Sequence, residues 1–249
     1  MNPALGARLD RAGLDPAGLD LGRENARLEH ASPEERLAFA AETFGEDLLF
    51  TSSFGAQSGV LLHLWSEVCR HLPVTFIDTG FLFSETLLYR DDLVAKLGLT
   101  LRVLRPDVPR ETFVAEYGPD IQKTDPDFCC GVNKLAPISA LKESARGWVS
   151  GLRRDQSRTR ADVAILENDE HLVRVHPIAT LTAADVAAYL ARHGIKEHPL
   201  VARRYLSIGC APCTRAVAEG EDERAGRWDG SAKTECGLHA RGSREGVAR

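Results

Sequence analysis

Four of the six cysteines stand in two tight doublets, Cys129-Cys130 and Cys210-Ala211-Pro212-Cys213, with Cys210 eighty positions after Cys130. Each doublet offers two soft donors, and a fold that brings the doublets together builds a tetrathiolate site for zinc or for an iron–sulfur cluster. Zinc ribbons use CxxC on both sides, so the adjacent pair tilts the reading toward iron–sulfur. A redox pair of the CxxC kind is the other reading of Cys210 and Cys213, but that motif opens a helix early in its domain and here it sits late. Cys236 stands apart, in Lys233-Thr234-Glu235-Cys236-Gly237-Leu238-His239 near the end of a polar tail. A lone thiol beside Lys233 and His239 has the surroundings of a low-pKa nucleophile, and its bland reading is a tail cysteine of no consequence. Cys69, amid Leu, Trp and Val, reads as buried and inert.

Two further segments carry polar groups suited to a small anionic ligand. Thr51-Ser52-Ser53-Phe54-Gly55-Ala56-Gln57-Ser58-Gly59 leaves an apolar run and opens a helical pattern, so its hydroxyls, glycines and helix N–H groups suit a phosphate. It is neither a Walker A loop nor GxGxxG. Asp78-Thr79-Gly80 ends the next apolar run at the same expected sheet edge, where a carboxylate can accept from a ribose or an adenine edge. Arginines gather at Arg153-Arg154, Arg158, Arg160, Arg203-Arg204, Arg215, Arg224 and Arg227. Forked guanidinium groups in loops after a parallel sheet suit phosphate or sulfate oxygens, although any one of them alone reads as a solvated charge.

These residues need a scaffold, and the hydrophobic pattern supplies one. Ser32-Pro33-Glu34-Glu35 is a capping sequence that starts a helix running to about Phe44, where Gly45 ends it. Asp47–Thr51, Val74–Asp78, Leu99–Leu104 and Trp148–Leu152 read as strands. Helices are expected over Gly59–His71 and from Ser84, as cap, to about Lys96. Leu172–His176 reads as another strand, and Thr182 with Asp185 opens a helix that His193-Gly194 closes. Alternating strands and helices predict an α/β domain, a parallel sheet with helices on both faces and ligands beyond the strands' carboxyl ends. Residues 1–31 read as an N-terminal arm, 32–209 as the nucleotide-binding domain, and 210–249 as a cluster-ligand segment with a mobile C-terminal tail of that same domain.

Composition narrows the class. The chain has 249 residues, 43% of them hydrophobic, and 31 basic against 36 acidic side chains for a net charge of −5, which predicts one sizeable soluble domain and no footprint for nucleic acid. Six cysteines are too sparse for a disulfide scaffold, and no export signal is expected, because charges interrupt the first twenty residues. The stretch from Leu48 to Ser66 lacks Asp, Glu, Lys and Arg but holds Thr51, Ser52, Ser53, Gln57, Ser58 and His63, so no membrane span is expected. A cytoplasmic location and a small-molecule site follow as expectations.

Taken together, Cys129-Cys130 with Lys134, Cys210-x-x-Cys213, Gly220-Glu221-Asp222-Glu223-Arg224-Ala225-Gly226-Arg227-Trp228 and Glu235-Cys236-Gly237-Leu238-His239 resemble the assimilatory sulfonucleotide reductases, above all their iron–sulfur adenylyl-sulfate reductase branch. The likeness spans about residues 45–239. It implies an adenine-nucleotide alpha-hydrolase-like fold, one [4Fe-4S] cluster on Cys129, Cys130, Cys210 and Cys213, and Cys236 as nucleophile. It makes Ser52, Ser53, Gly55, Gln57 and Ser58 part of a modified PP-loop and Asp78, Thr79 and Gly80 a nucleotide motif. Lys134 matches a lysine between cluster and substrate, Arg224 and Arg227 grip the phosphosulfate, Arg153 and Arg154 match another anion-site segment, and His239 belongs to the substrate-binding set. The implied reaction converts adenosine 5′-phosphosulfate to sulfite and AMP through S-sulfocysteine, with thioredoxin or glutaredoxin as reductant. A homo-oligomer is compatible with the likeness. Two features depart from the branch: Asn133 stands where an arginine is usual, and the Ser52–Ser58 loop looks more like that of the clusterless phosphoadenylyl-sulfate reductases, so a 3′-phosphorylated or dual substrate is the alternative. A zinc-bearing nucleotide-binding protein of the same fold group is remoter, since the loop lacks the second glycine and the aspartate of SGGxDS.

Overall fold

The computed structural model describes residues 18–238. Six strands, β1 (Leu48–Thr51), β2 (Val74–Ile77), β3 (Leu101–Leu104), β4 (Gly147–Val149), β5 (Leu166–Asp169) and β6 (Leu172–Val175), form one sheet in the order β3-β2-β1-β4-β6-β5. All neighbours pair in parallel except β5, which runs antiparallel to β6 at the edge. The order reverses between β1 and β4, so a crevice opens beyond their carboxyl ends.

Strand periodicity divides the core into two faces. Leu48, Phe50, Val149, Val173 and Val175 point to one face, packed with residues of α1 (Leu21–Leu28), α2 (Pro33–Phe44), α3 (Gly59–Val68), α4 (Ser84–Leu97) and α9 (Ala183–Arg192). Leu49, Trp148 and Leu172 point to the other, against Ile138 and Leu141 of α8 (Ala136–Ser144). The expected capping box at Ser32 is present, with Glu35 N–H on Ser32 Oγ at 3.2 Å and Glu35 returning to the Ser32 N–H at 2.7 Å, and Thr182 with Asp185 makes the same device on α9. Ser84 departs from expectation: Phe83 is the cap residue, and the Ser84 hydroxyl turns to Glu85 instead.

Within the segment read as an arm, α1 is bound to the sheet. Asn25 donates to Leu166 O at 2.9 Å and accepts from Leu166 N at 2.8 Å, an amide taking the place of a neighbouring strand on the outer edge of β5. Buried Arg36 donates to Leu28 O, Glu29 O, Pro177 O and Thr180 Oγ1, fastening the α1–α2 corner to the turn before α9.

Between β3 and β4 the chain forms four short elements ahead of α8: α5 (Arg110–Tyr117), α6 (Ile121–Thr124), α7 (Pro126–Cys130) and a π-helical turn over Gly131–Leu135. Such widened turns re-aim side chains that a regular helix would stack. Among the described residues no helix is long and apolar enough to cross a membrane.

Candidate active site

The crevice at the carboxyl ends of β1, β2 and β4 holds a cavity of about 220 Å³. Its floor is Phe50, Thr51, Thr75, Phe76 and Ile77, and Gly151, Leu152 and Ile178 form an apolar side. The Thr75 hydroxyl is buried there without a hydrogen-bond partner, so it is left for a ligand.

The loop after β1 forms the rim: Ser52, Ser53, Gly55, Gln57 and Ser58 all line the cavity. Ser52 N–H pairs with Thr75 O at 3.0 Å, Ser52 Oγ accepts from Phe54 N–H at 3.1 Å, and Ser58 Oγ donates to Gly55 O at 2.8 Å. Phe54, at φ 49°, drops a fully buried ring onto Phe76 and so pins the loop from below. Gly55 lets the loop pack closely on the segment before Cys210, since a Cβ there would lie 3.3 Å from Ile208 O. Ser58 at the cap of α3 makes no side-chain capping bond, which leaves the helix N–H groups for an anion.

The two cysteine doublets meet in an adjoining cavity, lined by Cys129, Cys130, Cys210 and Cys213 with Thr79, Gln122, Asn133, Lys134 and Trp228. Phe81 and Phe113 close an apolar shell around Cys129 and Cys210. Polar groups sit on the sulfurs: Thr79 Oγ1 is 3.3 Å from Cys210 Sγ, and Asn133 Nδ2 is 3.7 Å from Cys129 Sγ while donating to Cys129 O at 3.0 Å. Burial pushes the Cys129 thiol up to about 11 and raises that of Cys213. Among the described residues no group of three or more His, Cys, Asp or Glu is arranged to hold a single metal ion. Buried Cys69 is pushed up to about 12 by desolvation, in keeping with an inert core thiol.

Lys134, carried on the π-helical turn, and Trp228 line both cavities. Burial alone would lower the lysine pKa, but Cys210, Cys236 and Cys130 around it outweigh that and hold it above its usual value. Trp228, at φ 49°, turns its ring to Arg227 at 4.4 Å, Lys233 at 5.7 Å and Arg224 at 5.8 Å. Arg224 and Arg227 line the larger cavity, and burial brings Arg224 down to about 10.

Cys236 lines that same cavity. In the metal-free chain a hydrogen bond from the Cys130 thiol, a donor that a cluster bound there would remove, holds the Cys236 thiol well below its usual range, joined by Lys134, the Leu238 N–H and Arg227 against burial; Cys130, as donor, is raised. The tail is docked on both sides of it. Glu235 lies on Arg160 and Arg224, Leu238 O accepts from Arg174 Nη1 at 2.7 Å, and Gly237 packs on Leu135, where a Cβ would come within 3.0 Å. Expected His239 lies outside the described residues.

The remaining expected residues are placed elsewhere. Arg153 is fully buried and forks onto Asp155 and Gln57, and Arg154 forks onto Glu29, so neither faces the cavity. Asp78 accepts from Gly80 N–H and pairs with Arg105, Gly80 lies under Arg110, and Thr79 serves the cysteine cavity. Conversely Arg160 and Gln156 line the larger cavity, although the sequence singled out Arg160 only as one of a basic group. For Gln156 the signal was the Gly151–Ser157 segment, which feeds it toward Gln57 at 3.4 Å.

Residues 47–216 match the model of the phosphoadenosine phosphosulfate reductase domain, more than half of the chain. The chain belongs to this family. Among curated members, it is 44% identical over 94% of its length to the adenosine 5′-phosphosulfate reductase of Mesorhizobium japonicum, covering 90% of that protein. It is 37% identical over 88% of its length to the phosphoadenosine 5′-phosphosulfate reductase of Gloeobacter violaceus, covering 96% of it. Among solved structures, the phosphoadenylyl-sulfate reductase of Candida auris in a phosphate complex superposes with a TM-score of 0.68 at 25% identity, over 77% of this chain and 94% of that one. The family match spans the sheet and the loops of the crevice and ends before the segment that carries Cys236.

Proposed function

We propose that this protein reduces adenosine 5′-phosphosulfate to sulfite and AMP in the cytoplasm, as a step of sulfate assimilation toward cysteine, with a dithiol protein of the thioredoxin or glutaredoxin class as reductant. The observation that carries the reading is Cys236, seated in one cavity with the Ser52–Ser58 loop, Lys134, Arg224 and Arg227. The name of the 44% identical relative supports the substrate.

In this reading the adenosine takes the crevice floor, where the Thr75 hydroxyl is free, and the phosphosulfate faces the cations. The Cys236 thiolate gives its electron pair to the sulfuryl sulfur as the bond to the bridging phosphate oxygen breaks and that pair leaves on AMP. Arg224, Arg227 and Lys134 neutralise the charge gathering on the oxygens. With the phosphate neutralised, AMP leaves without a general acid. A thiolate of the reductant then attacks the S-sulfocysteine sulfur bonded to Cβ, sulfite departs with the S–S electron pair, and the reductant's second thiolate displaces Cys236 as the reductant becomes a disulfide. Its two electrons end on sulfite, and the docked tail must open between the halves.

Cys129, Cys130, Cys210 and Cys213 fit an iron–sulfur cluster by donor chemistry: four soft thiols lining one cavity, three of them packed in an apolar shell, with a hydroxyl and an amide placed on two of the sulfurs. Zinc ribbons draw on CxxC at both ends, whereas one doublet here is the adjacent pair Cys129-Cys130. When bound, a [4Fe-4S] cluster supplies a structural tie and local charge here rather than electrons. Lys134 is the residue that couples it to the larger cavity.

The intact mass of anaerobically purified protein, measured after incubation with adenosine 5′-phosphosulfate alone, tests the reading. One sulfonate is expected, lost on adding thioredoxin and absent in Cys236→Ser; an unmodified wild-type protein would overturn it. The 3′-phosphorylated nucleotide belongs in a parallel tube, because the Gloeobacter violaceus relative bears that name. Faster sulfonation by it would make the second substrate the physiological one.

A further inference from the structure

Glu235 precedes Cys236 and does not itself line the cavity, but its carboxylate engages two residues that do, Arg160 and Arg224. Arg160 Nε reaches Glu235 Oε1 at 2.7 Å and Arg160 Nη2 reaches Oε2 at 2.6 Å, a bidentate fork with both side chains largely buried. Arg224 joins through Nη2 alone, which donates to Glu235 Oε2 at 3.1 Å and to Thr234 O at 2.9 Å. Arg160 is itself held by Gln156, whose side chain also accepts from the Arg153 N–H and reaches Gln57 in the loop after β1. The residue before Cys236 is thereby tied, through one chain of side chains, to the loop that would hold the nucleotide.

We propose that Glu235 and Arg160 form a latch that seats Cys236 against the cavity, making both positioning residues for the transfer; this rests on the reading of Cys236 given under Proposed function. Charge decides between a latch and a competitor for the anion site. Arg160, Arg224, Arg227 and Lys134 line the cavity against Glu223 and the Cys236 thiolate, so with Glu235 cancelling one guanidinium charge the site still carries a net positive charge. Arg224 gives the tail only Nη2, so Nε and Nη1 remain for an anion. An anion on Arg224 and a carboxylate on Arg160 therefore coexist, and the latch closes over a bound nucleotide rather than in its place.

The test compares wild type, Glu235→Ala, Glu235→Gln, Arg160→Ala and the double alanine variant, all purified anaerobically and checked for fold by circular dichroism. The first readout is alkylation of Cys236 by iodoacetamide, followed on the Cys236 peptide by mass spectrometry on the high-pH plateau, so that thiolate fraction does not enter. Tenfold faster alkylation is expected in both single alanine variants, with the double variant no faster than either, since one latch is broken in each. The second is AMP affinity against the single-turnover rate of sulfonation: Glu235→Ala is expected to keep AMP affinity within threefold while sulfonation slows at least tenfold, and Glu235→Gln to fall between. Unchanged alkylation, or tighter AMP binding with faster sulfonation in Glu235→Ala, would overturn the latch. A wild type that takes up no sulfonate would defeat the functional reading instead, and the alkylation contrast would still decide the latch.

Discussion

Arg227 owes its place to a residue with no side chain. A Cβ on Gly209 would lie 2.7 Å from Arg227 Cζ and 2.9 Å from Nη1, so the guanidinium rests against bare backbone between Trp228 and the turn carrying Cys210. Because the obstructed group is the end of a flexible side chain, Gly209→Ala should displace Arg227 and leave the fold intact. If Arg227 holds the anion, AMP affinity measured by calorimetry falls about tenfold, equivalent to about 1.4 kcal/mol, with little change in Tm; unchanged affinity would remove Arg227 from the anion site. The same scale shows what spacing leaves open for Arg153 and Arg154. In sequence an arginine pair after a strand looks free for a ligand, but Asp155, Gln57 and Glu29 already take those guanidinium groups.

At the scale of elements, strand ends position the loops, and their packing has no slack. Gly147 opens β4 directly under Phe44 of α2: a Cβ there would sit 2.6 Å from Phe44 Cγ and 2.9 Å from Leu48 Cδ1. Neither an aromatic ring in a core nor β1 can give way freely. Gly147→Ala should cost roughly 1–3 kcal/mol by overpacking, or roughly 3–10 °C in Tm. Thermal melts of Gly147→Ala, Phe44→Leu and the double variant check this, because the double should be less destabilised than the sum; strict additivity would show the clash is not the cause. Short apolar runs and capping sequences made β1, β2, α2 and α9 legible from sequence. β5 escaped notice because Leu166-Glu167-Asn168-Asp169 is short and polar, as an edge strand can be, and its pairing exists only once β6 and Asn25 flank it. The π-helical turn at Lys134 has no sequence signature of its own.

Over the whole molecule, polar groups buried far from the cavity tie the layers together, and one of them sets an acid limit. His198 is 1% exposed; its Nδ1 accepts from Leu200 N–H at 3.2 Å and its Nε2 meets Thr86 Oγ1 at 3.0 Å, the pattern of a neutral ring protonated on Nε2. Burial lowers its pKa from 6.5 to about 4, against the opposing pull of Glu85. Between those values the unfolded chain binds the extra proton, so the stability is complete above about pH 6.5 and is lost as pH falls toward 4, roughly 3 kcal/mol in all. Urea unfolding at pH 7 and pH 4.5 should show the loss, and His198→Gln should shrink the difference between the two; an equal pH dependence in both proteins would assign the acid sensitivity elsewhere.

The sequence alone determined the chemical inventory and the architecture, because both are written in local patterns: soft donors in doublets, a hydroxyl-rich loop between a strand and a helix, and alternating apolar runs. Tertiary structure decided which of those groups meet. It brought Cys210 back to Cys130 across eighty positions, set Lys134 and Trp228 between two cavities, sent Thr79 to a cysteine rather than to the larger cavity, and handed Glu235 to Arg160. The reason is physical: a charged or polar side chain takes its role from the partner that repays its desolvation, and that partner is known only when the chain has closed.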